Sequence, residues 1–159
     1  MKFKIIAPGK LKEAYLREGI DEYLKRMKAF GGLEIIGLAD ERIPDNPSEN
    51  EKQKIKEVEG QKILEKLSRD EKVIVLTLDG KLLNSEELAK KISDWELYGN
   101  SKLTFIIGGS LGLSEAVIKR ADLKLSFGRM TFPHQLMRLI LVEQIYRSAM
   151  INQGSSYHK

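Results

Sequence analysis

The run Val73-Ile74-Val75-Leu76-Thr77-Leu78 limits the possible folds more than any other stretch of this chain. It is β-branched or apolar almost throughout, so neither face of a strand made from it can look at water. Such a strand is covered on both sides, as in a parallel sheet with helices packed above and below. Leu103-Thr104-Phe105-Ile106-Ile107 repeats the pattern. Three more strand-like runs are Lys2–Pro8, Leu33–Leu38 and Leu123–Phe127.

Helical patterns separate these strands. Leu11, Ala14, Tyr15, Tyr23, Leu24 and Met27 recur at helical spacing. Gly19 inside that segment costs about 1 kcal/mol against alanine, which points to a kink or a close contact there. Ser48-Glu49-Asn50-Glu51 has the form of a capping box, opening a helix with the stripe Ile55, Val58, Leu64 and Leu67. Asp79-Gly80 is expected to turn the chain out of the third strand. Asn84 or Ser85 then caps a helix carrying Leu88, Ala89, Ile92 and Trp95. Ser114-Glu115 starts a short helix with Val117, Ile118 and Ala121. The last helix begins near Pro133, with Thr131 as its expected cap, and runs to about Asn152. It is apolar nearly all round, so it is buried in the domain or pressed on a second copy. The strand–helix alternation, five times over, predicts a single α/β domain over 1–159. Its mostly parallel five-stranded sheet carries helices on both faces.

Composition restricts the chemistry. There is no cysteine, which removes thiolate nucleophiles, disulfides and cysteine zinc sites. The two histidines, His134 and His158, lack metal-binding spacing, so no metal is expected. No run of about 18 apolar residues occurs, and no membrane span is expected. With no export signal either, the expected compartment is the cytoplasm. The net charge of +4 suits an anionic partner such as nucleic acid, although the lysines are scattered among acids.

In parallel α/β sheets, ligands bind beyond the carboxyl ends of the strands. Three such ends are chemically distinctive: Leu76–Gly80, Gly108–Gly112 and Phe127–Phe132. Gly108-Gly109-Ser110-Leu111-Gly112 lets backbone approach a ligand closely, but it matches neither the dinucleotide fingerprint nor the P-loop. In the last helix the charged residues are His134, Arg138, Glu143 and Arg147, and the pairs four apart share a face. His134 suits a capping or core role, or a general base. Arg138 and Arg147 suit structural ion pairs, or recognition of a phosphate or developing oxyanion. The tail ends in Tyr157-His158-Lys159, residues that can stack on an unpaired base and pair with phosphate.

The glycine loop, the segment Leu-Ser-Phe-Gly-Arg-Met-Thr-Phe-Pro-His-Gln-Leu-Met-Arg (125–138), then Glu-Gln-Ile-Tyr-Arg (143–147) and the terminal Tyr-His-Lys together resemble one family. It is the ribosomal large subunit methyltransferase H family, whose members methylate ring N-3 of a pseudouridine in 23S rRNA of the assembled ribosome. The resemblance runs from Lys-Ile-Ile-Ala-Pro-Gly-Lys (4–10) to Lys159. It implies a SPOUT-class fold with a C-terminal trefoil knot, a homodimer, and S-adenosylmethionine bound in the knot. Carried over by motif, the cofactor contacts are Leu76, Gly108 and the loop Phe127, Gly128, Arg129, Met130, Thr131 and Phe132. The family's loop usually has serine where this chain has Gly128, which leaves backbone contacts there. Arg147 is then expected to stabilise the imide anion, with Glu143 orienting it. His134 and His158 are the proton-transfer candidates and Tyr157 holds the base. The tail is a candidate to complete a partner subunit's site. Two rival readings are a non-enzymatic ribosome-binding module and a nucleotide-dependent enzyme on an ordinary doubly wound sheet.

Overall fold

The computed structural model describes residues 1–159. Its strands are β1 (Lys2–Pro8), β2 (Leu33–Leu38), β3 (Lys72–Leu82), β4 (Lys102–Ile107) and β5 (Leu123–Ser126). Its helices are α1 (Ala14–Met27), α2 (Glu49–Leu64), α3 (Ser85–Leu97), α4 (Glu115–Arg120) and α5 (His134–Asn152). The strands form one sheet in the order β2-β1-β4-β3-β5, and every pairing is parallel. The sheet is thus wholly parallel, where the sequence led us to expect mostly parallel.

Strand periodicity sorts the core into two layers. Phe3, Ile5, Ile74, Leu103 and Phe105 face α1, α3 and α5, packing on Ile20, Met27, Leu88, Trp95, Leu141 and Ile145. Ile6, Val73, Val75 and Ile106 face α2 and α4, packing on Ile63 and Val117. Both capping boxes close: Ser48 with Glu51, and Asn84 with Glu87. Gly19 is a close contact, since a Cβ there would stand 3.1 Å from Leu139 Cδ1 of α5.

Four expectations are corrected. Tyr15 is 67% exposed, because Leu16 and Ile20 take the inward positions of α1. Val58 is half exposed; α2 instead packs through Gly60 and Ile63, and a Cβ on Gly60 would lie 2.2 Å from Ser114 Oγ. Thr131 does not cap α5, whose N-cap is Pro133 with no side-chain bond. Asp79-Gly80 does not end β3. Leu125 of β5 pairs with both Leu76 and Lys81, so residues 77–80 bulge out of the ladder and pairing resumes beyond them. Gly80 presses on backbone there, since a Cβ would come within 2.8 Å of the carbonyl carbons of Lys124 and Leu125.

At the opposite end of the sheet, Glu71 is buried. Burial opposes its charge, but hydrogen bonds from the Thr104 hydroxyl and from Ser68, with Lys4 3.3 Å away, hold its carboxyl below the usual carboxylate range. A depressed folded value means that the stabilisation is present above the unfolded pKa and is lost as pH falls through the folded one. Glu71→Gln is therefore expected to cost about 2 kcal/mol near neutrality. The gap from wild type should narrow as pH falls below the usual carboxylate range, read from urea midpoints.

Candidate active site

The carboxyl ends of β4, β3 and β5 are neighbours, so the three distinctive turns meet. Between them lies a cavity of about 800 Å³. Its lining includes Leu76, Gly108, Phe127, Gly128, Met130, Thr131, Phe132 and His134. Of the loop expected to hold a cofactor, Arg129 alone is absent from the lining; it is exposed. Gly128 sits at φ +121, a conformation that favours glycine. Ser126 shapes the loop's entry, accepting from Gly128 N–H at 3.1 Å and donating to Gly128 O at 3.0 Å.

The β3 bulge brings Thr77, Leu78 and Asp79 into the same lining. They belong to the Leu76–Gly80 strand end that the sequence marked; what periodicity missed is the bulge itself, because the run reads as a strand followed by a turn. The cavity wall also holds two polar atoms that are buried without any hydrogen-bond partner, Thr77 Oγ1 and His134 Nδ1. A buried polar group left unpaired costs about 1–3 kcal/mol, so such atoms in a cavity wall mark places where a ligand would bond. The volume, the apolar walls and the glycine-rich rim suit a nucleoside-sized ligand.

Arg138 lies outside this cavity. It is 3% exposed and donates to Pro8 O at 2.7 Å, with Gly9 O at 3.4 Å, tying α5 to the end of β1. Burial lowers its pKa, partly offset by Asp40. Of the two roles open to it, Arg138 takes a structural one, through Nη2 on backbone carbonyls, while its Nε is buried without a partner.

The remaining candidates form a second cluster farther along α5. Arg147 Nε and Nη2 reach Glu143 Oε1 at 2.7 and 2.6 Å. The bond to Glu143 raises the Arg147 pKa, so the guanidinium stays charged. The tail folds back onto its own chain. Gly154, at φ +80, ends α5 in a Schellman arrangement, with Ser155 N–H on Met150 O and Gly154 N–H on Ile151 O. Tyr157 then packs edge-on against Tyr146, ring centroids 5.0 Å apart, beneath the Arg147 guanidinium at 4.8 Å. Burial, hydrogen bonding with Tyr23 and the Glu143 charge push the Tyr157 hydroxyl up to about 12. At neutral pH it keeps its proton and can donate a hydrogen bond. His158 Nδ1 is 3.0 Å from Arg147 Nη1, and its Nε2 contacts Glu86 Oε1 of α3, a residue no sequence pattern singled out.

The two groups are separated. His134 and Arg147 lie between three and four turns apart on α5, roughly 20 Å at 1.5 Å per residue. A smaller cavity of about 410 Å³ adjoins the first, sharing Phe127, Phe132 and Met137 with it and extending to Ser85 and Gln144. No helix is long and apolar enough to cross a membrane.

Comparison with known proteins gives a consistent picture. The family model described as predicted SPOUT methyltransferase matches residues 1–158. A protein of Lactococcus lactis subsp. cremoris named ribosomal RNA large subunit methyltransferase H is 59% identical over 159 residues, the whole of both chains. Proteins of the same name from Lactococcus lactis subsp. lactis and Streptococcus pneumoniae are each 57% identical, again over the whole of both chains.

Proposed function

This chain belongs to the SPOUT methyltransferase family, and from that premise we propose that it methylates ring N-3 of a pseudouridine in 23S rRNA of the assembled ribosome. The observation that carries the reading is the glycine-rimmed cavity where β3, β4 and β5 end, with Thr77 Oγ1 and His134 Nδ1 unpartnered in its wall. Leu76, Gly108 and the 127–132 loop would hold S-adenosylmethionine there, within the trefoil knot that belongs to this proposal. Bound, the cofactor supplies a methyl group on a sulfonium, a strong electrophile.

The chain's own residues then have three tasks: to place the base, to take the N-3 proton and to offset the negative charge left on the imide. Arg147, kept charged and aimed by Glu143, suits the last task. Tyr157, a donor under that guanidinium, suits the first. His158 and His134 are the candidates for the second. No covalent adduct to the enzyme is needed, which fits a chain without cysteine.

The gap of roughly 20 Å along α5 exceeds the span of a nucleobase. We therefore assign the Arg147 cluster of one copy to the cavity of a second copy in a homodimer. Exposed Leu78, Leu82, Met130 and Phe132 near the cavity supply apolar surface for that contact. The net charge of +4 supports RNA as the substrate, and binding should weaken as salt rises. The cytoplasm, where ribosomes are, is the compartment this implies.

The test is methyl transfer from labelled S-adenosylmethionine to ribosomes lacking the modification, beside calorimetry with S-adenosylhomocysteine. Transfer with heat of binding is expected. Neither, at millimolar ligand, would favour a ribosome-binding module without catalysis. A chain ending at Ser156 is expected to keep the heat and to lose transfer by about a hundredfold or more, since it lacks Tyr157 and His158. Full turnover by that chain would remove the tail from the mechanism.

A further inference from the structure

We infer that Glu86, in the first turn of α3, is a positioning residue that sets the tautomer of His158 and so presents its Nδ1 as a proton acceptor. The inference rests on the methyl-transfer reading above. It starts from what each partner of the ring is able to do. A carboxylate accepts and does not donate, so the contact between Glu86 Oε1 and His158 Nε2 requires the proton on Nε2. A guanidinium donates and does not accept, so the 3.0 Å contact from Arg147 Nη1 requires a lone pair on Nδ1. Both bonds are made together only by a neutral imidazole protonated at Nε2. The two neighbours, 61 residues apart in the chain, select one tautomer between them.

The arrangement parallels the general logic of an acid orienting a histidine from behind while its other nitrogen works in front. Arg147 occupies Nδ1 when no substrate is bound. Once Arg147 turns to the imide, Nδ1 is left as a free lone pair beside it. The N-3 proton then passes to Nδ1, and the resulting imidazolium keeps its Nε2–H on the Glu86 carboxylate. The N-3 electron pair forms the bond to the methyl carbon as the carbon–sulfur bond breaks, its electrons staying on sulfur. Proton, methyl and charge are all accounted for.

Glu86 also lies among the acidic residues of the first turn of α3, where a negative charge is favourable to the helix dipole. That role alone would move stability and nothing else. His134 does not share these partners: its Nδ1 is unpartnered, so the assignment singles out His158 of the two histidines.

The chain has only two histidines, which makes the test direct. In the full-length protein, imidazole nitrogen-15 NMR reads the tautomer, with His158→Gln assigning the signals. Wild type is expected to show His158 protonated at Nε2. Because Arg147 favours the same tautomer, the effect of Glu86 is read without it: Arg147→Ala is expected to keep His158 protonated at Nε2 and the Arg147→Ala, Glu86→Ala pair to lose that preference. Glu86→Ala alone should slow methyl transfer at saturating cofactor by about tenfold, with the KM for cofactor unchanged. Glu86→Gln keeps a carbonyl acceptor and should retain both the tautomer and most of the rate. An unchanged tautomer in the Arg147→Ala, Glu86→Ala pair would overturn the proposal, and so would undiminished turnover by Glu86→Ala. A wild-type protein that transfers no methyl would instead sink the functional reading, while its tautomer signals would still decide whether Glu86 sets the ring.

Discussion

Arg147→Ala is expected to lower methyl transfer by about two to three orders of magnitude while leaving S-adenosylhomocysteine binding within about twofold. The reasoning is geometric. Arg147 contacts Glu143, the Tyr157 ring and His158, and lines neither cavity at the strand ends. On the proposed mechanism its loss would remove charge stabilisation at the base without touching the wall that would hold the cofactor. Arg147→Lys should recover little, because an ammonium cannot reproduce a planar fork that meets Glu143 through Nε and Nη2 together. The same variant tests how copies combine. Gly108→Val should block the cavity from its floor, where even a Cβ would meet Leu113 at 3.0 Å. If one copy supplies Arg147 to the other's cavity, mixing and re-forming dimers of the two inactive variants restores about a quarter of wild-type activity. No recovery after verified exchange would place both clusters in one chain's site.

Gly80→Ala is expected to be the most damaging single methyl addition near the site. The new carbon would stand within 2.9 Å of the carbonyl carbon of Lys124 and of both the nitrogen and the carbonyl carbon of Leu125. These are backbone atoms of a paired strand, so they cannot swing aside as the end of a side chain would. Relief requires β5 to part from the bulge of β3, which loses ladder bonds and opens the core at Leu125. A cost of about 2–4 kcal/mol follows, at the upper end of overpacking effects. The bulge also carries Thr77, Leu78 and Asp79 into the cavity, so cofactor affinity should fall by at least about tenfold in whatever protein remains folded. Urea midpoints and calorimetry measure the two losses. Wild-type stability in this variant would mean that the bulge does not depend on the missing side chain.

Much of the fold could be read in the linear chain. The buried runs Val73–Leu78 and Leu103–Ile107 are strands, and Leu88, Ala89, Ile92 and Trp95 are all buried on α3. Ser48 and Asn84 cap as their spacing to Glu51 and Glu87 requires. The Glu143–Arg147 pair forms as its four-residue spacing allows. Where the reading failed, a distant segment intervened. Asp79-Gly80 has the composition of a turn, yet β5 captures Lys81 and Leu82 and draws the strand onward. Thr131 precedes a helix in capping style, but its loop is drawn to the cavity wall and α5 starts after Pro133. Tyr157 and His158 end a polar tail that by itself would fray, and the Tyr146 ring, Arg147 and Glu86 hold it down.

The succession of strands and helices along the chain and the capping boxes of α2 and α3 were set by the chain alone. They depend on neighbours within one or two turns, and backbone sterics and periodicity act over that range. The bulge in β3, the use of Arg138 on the carbonyls of β1 and the meeting of Glu86 with His158 were decided only when the sheet closed. Each joins residues tens of positions or more apart, and such contacts exist only after packing has brought their elements together.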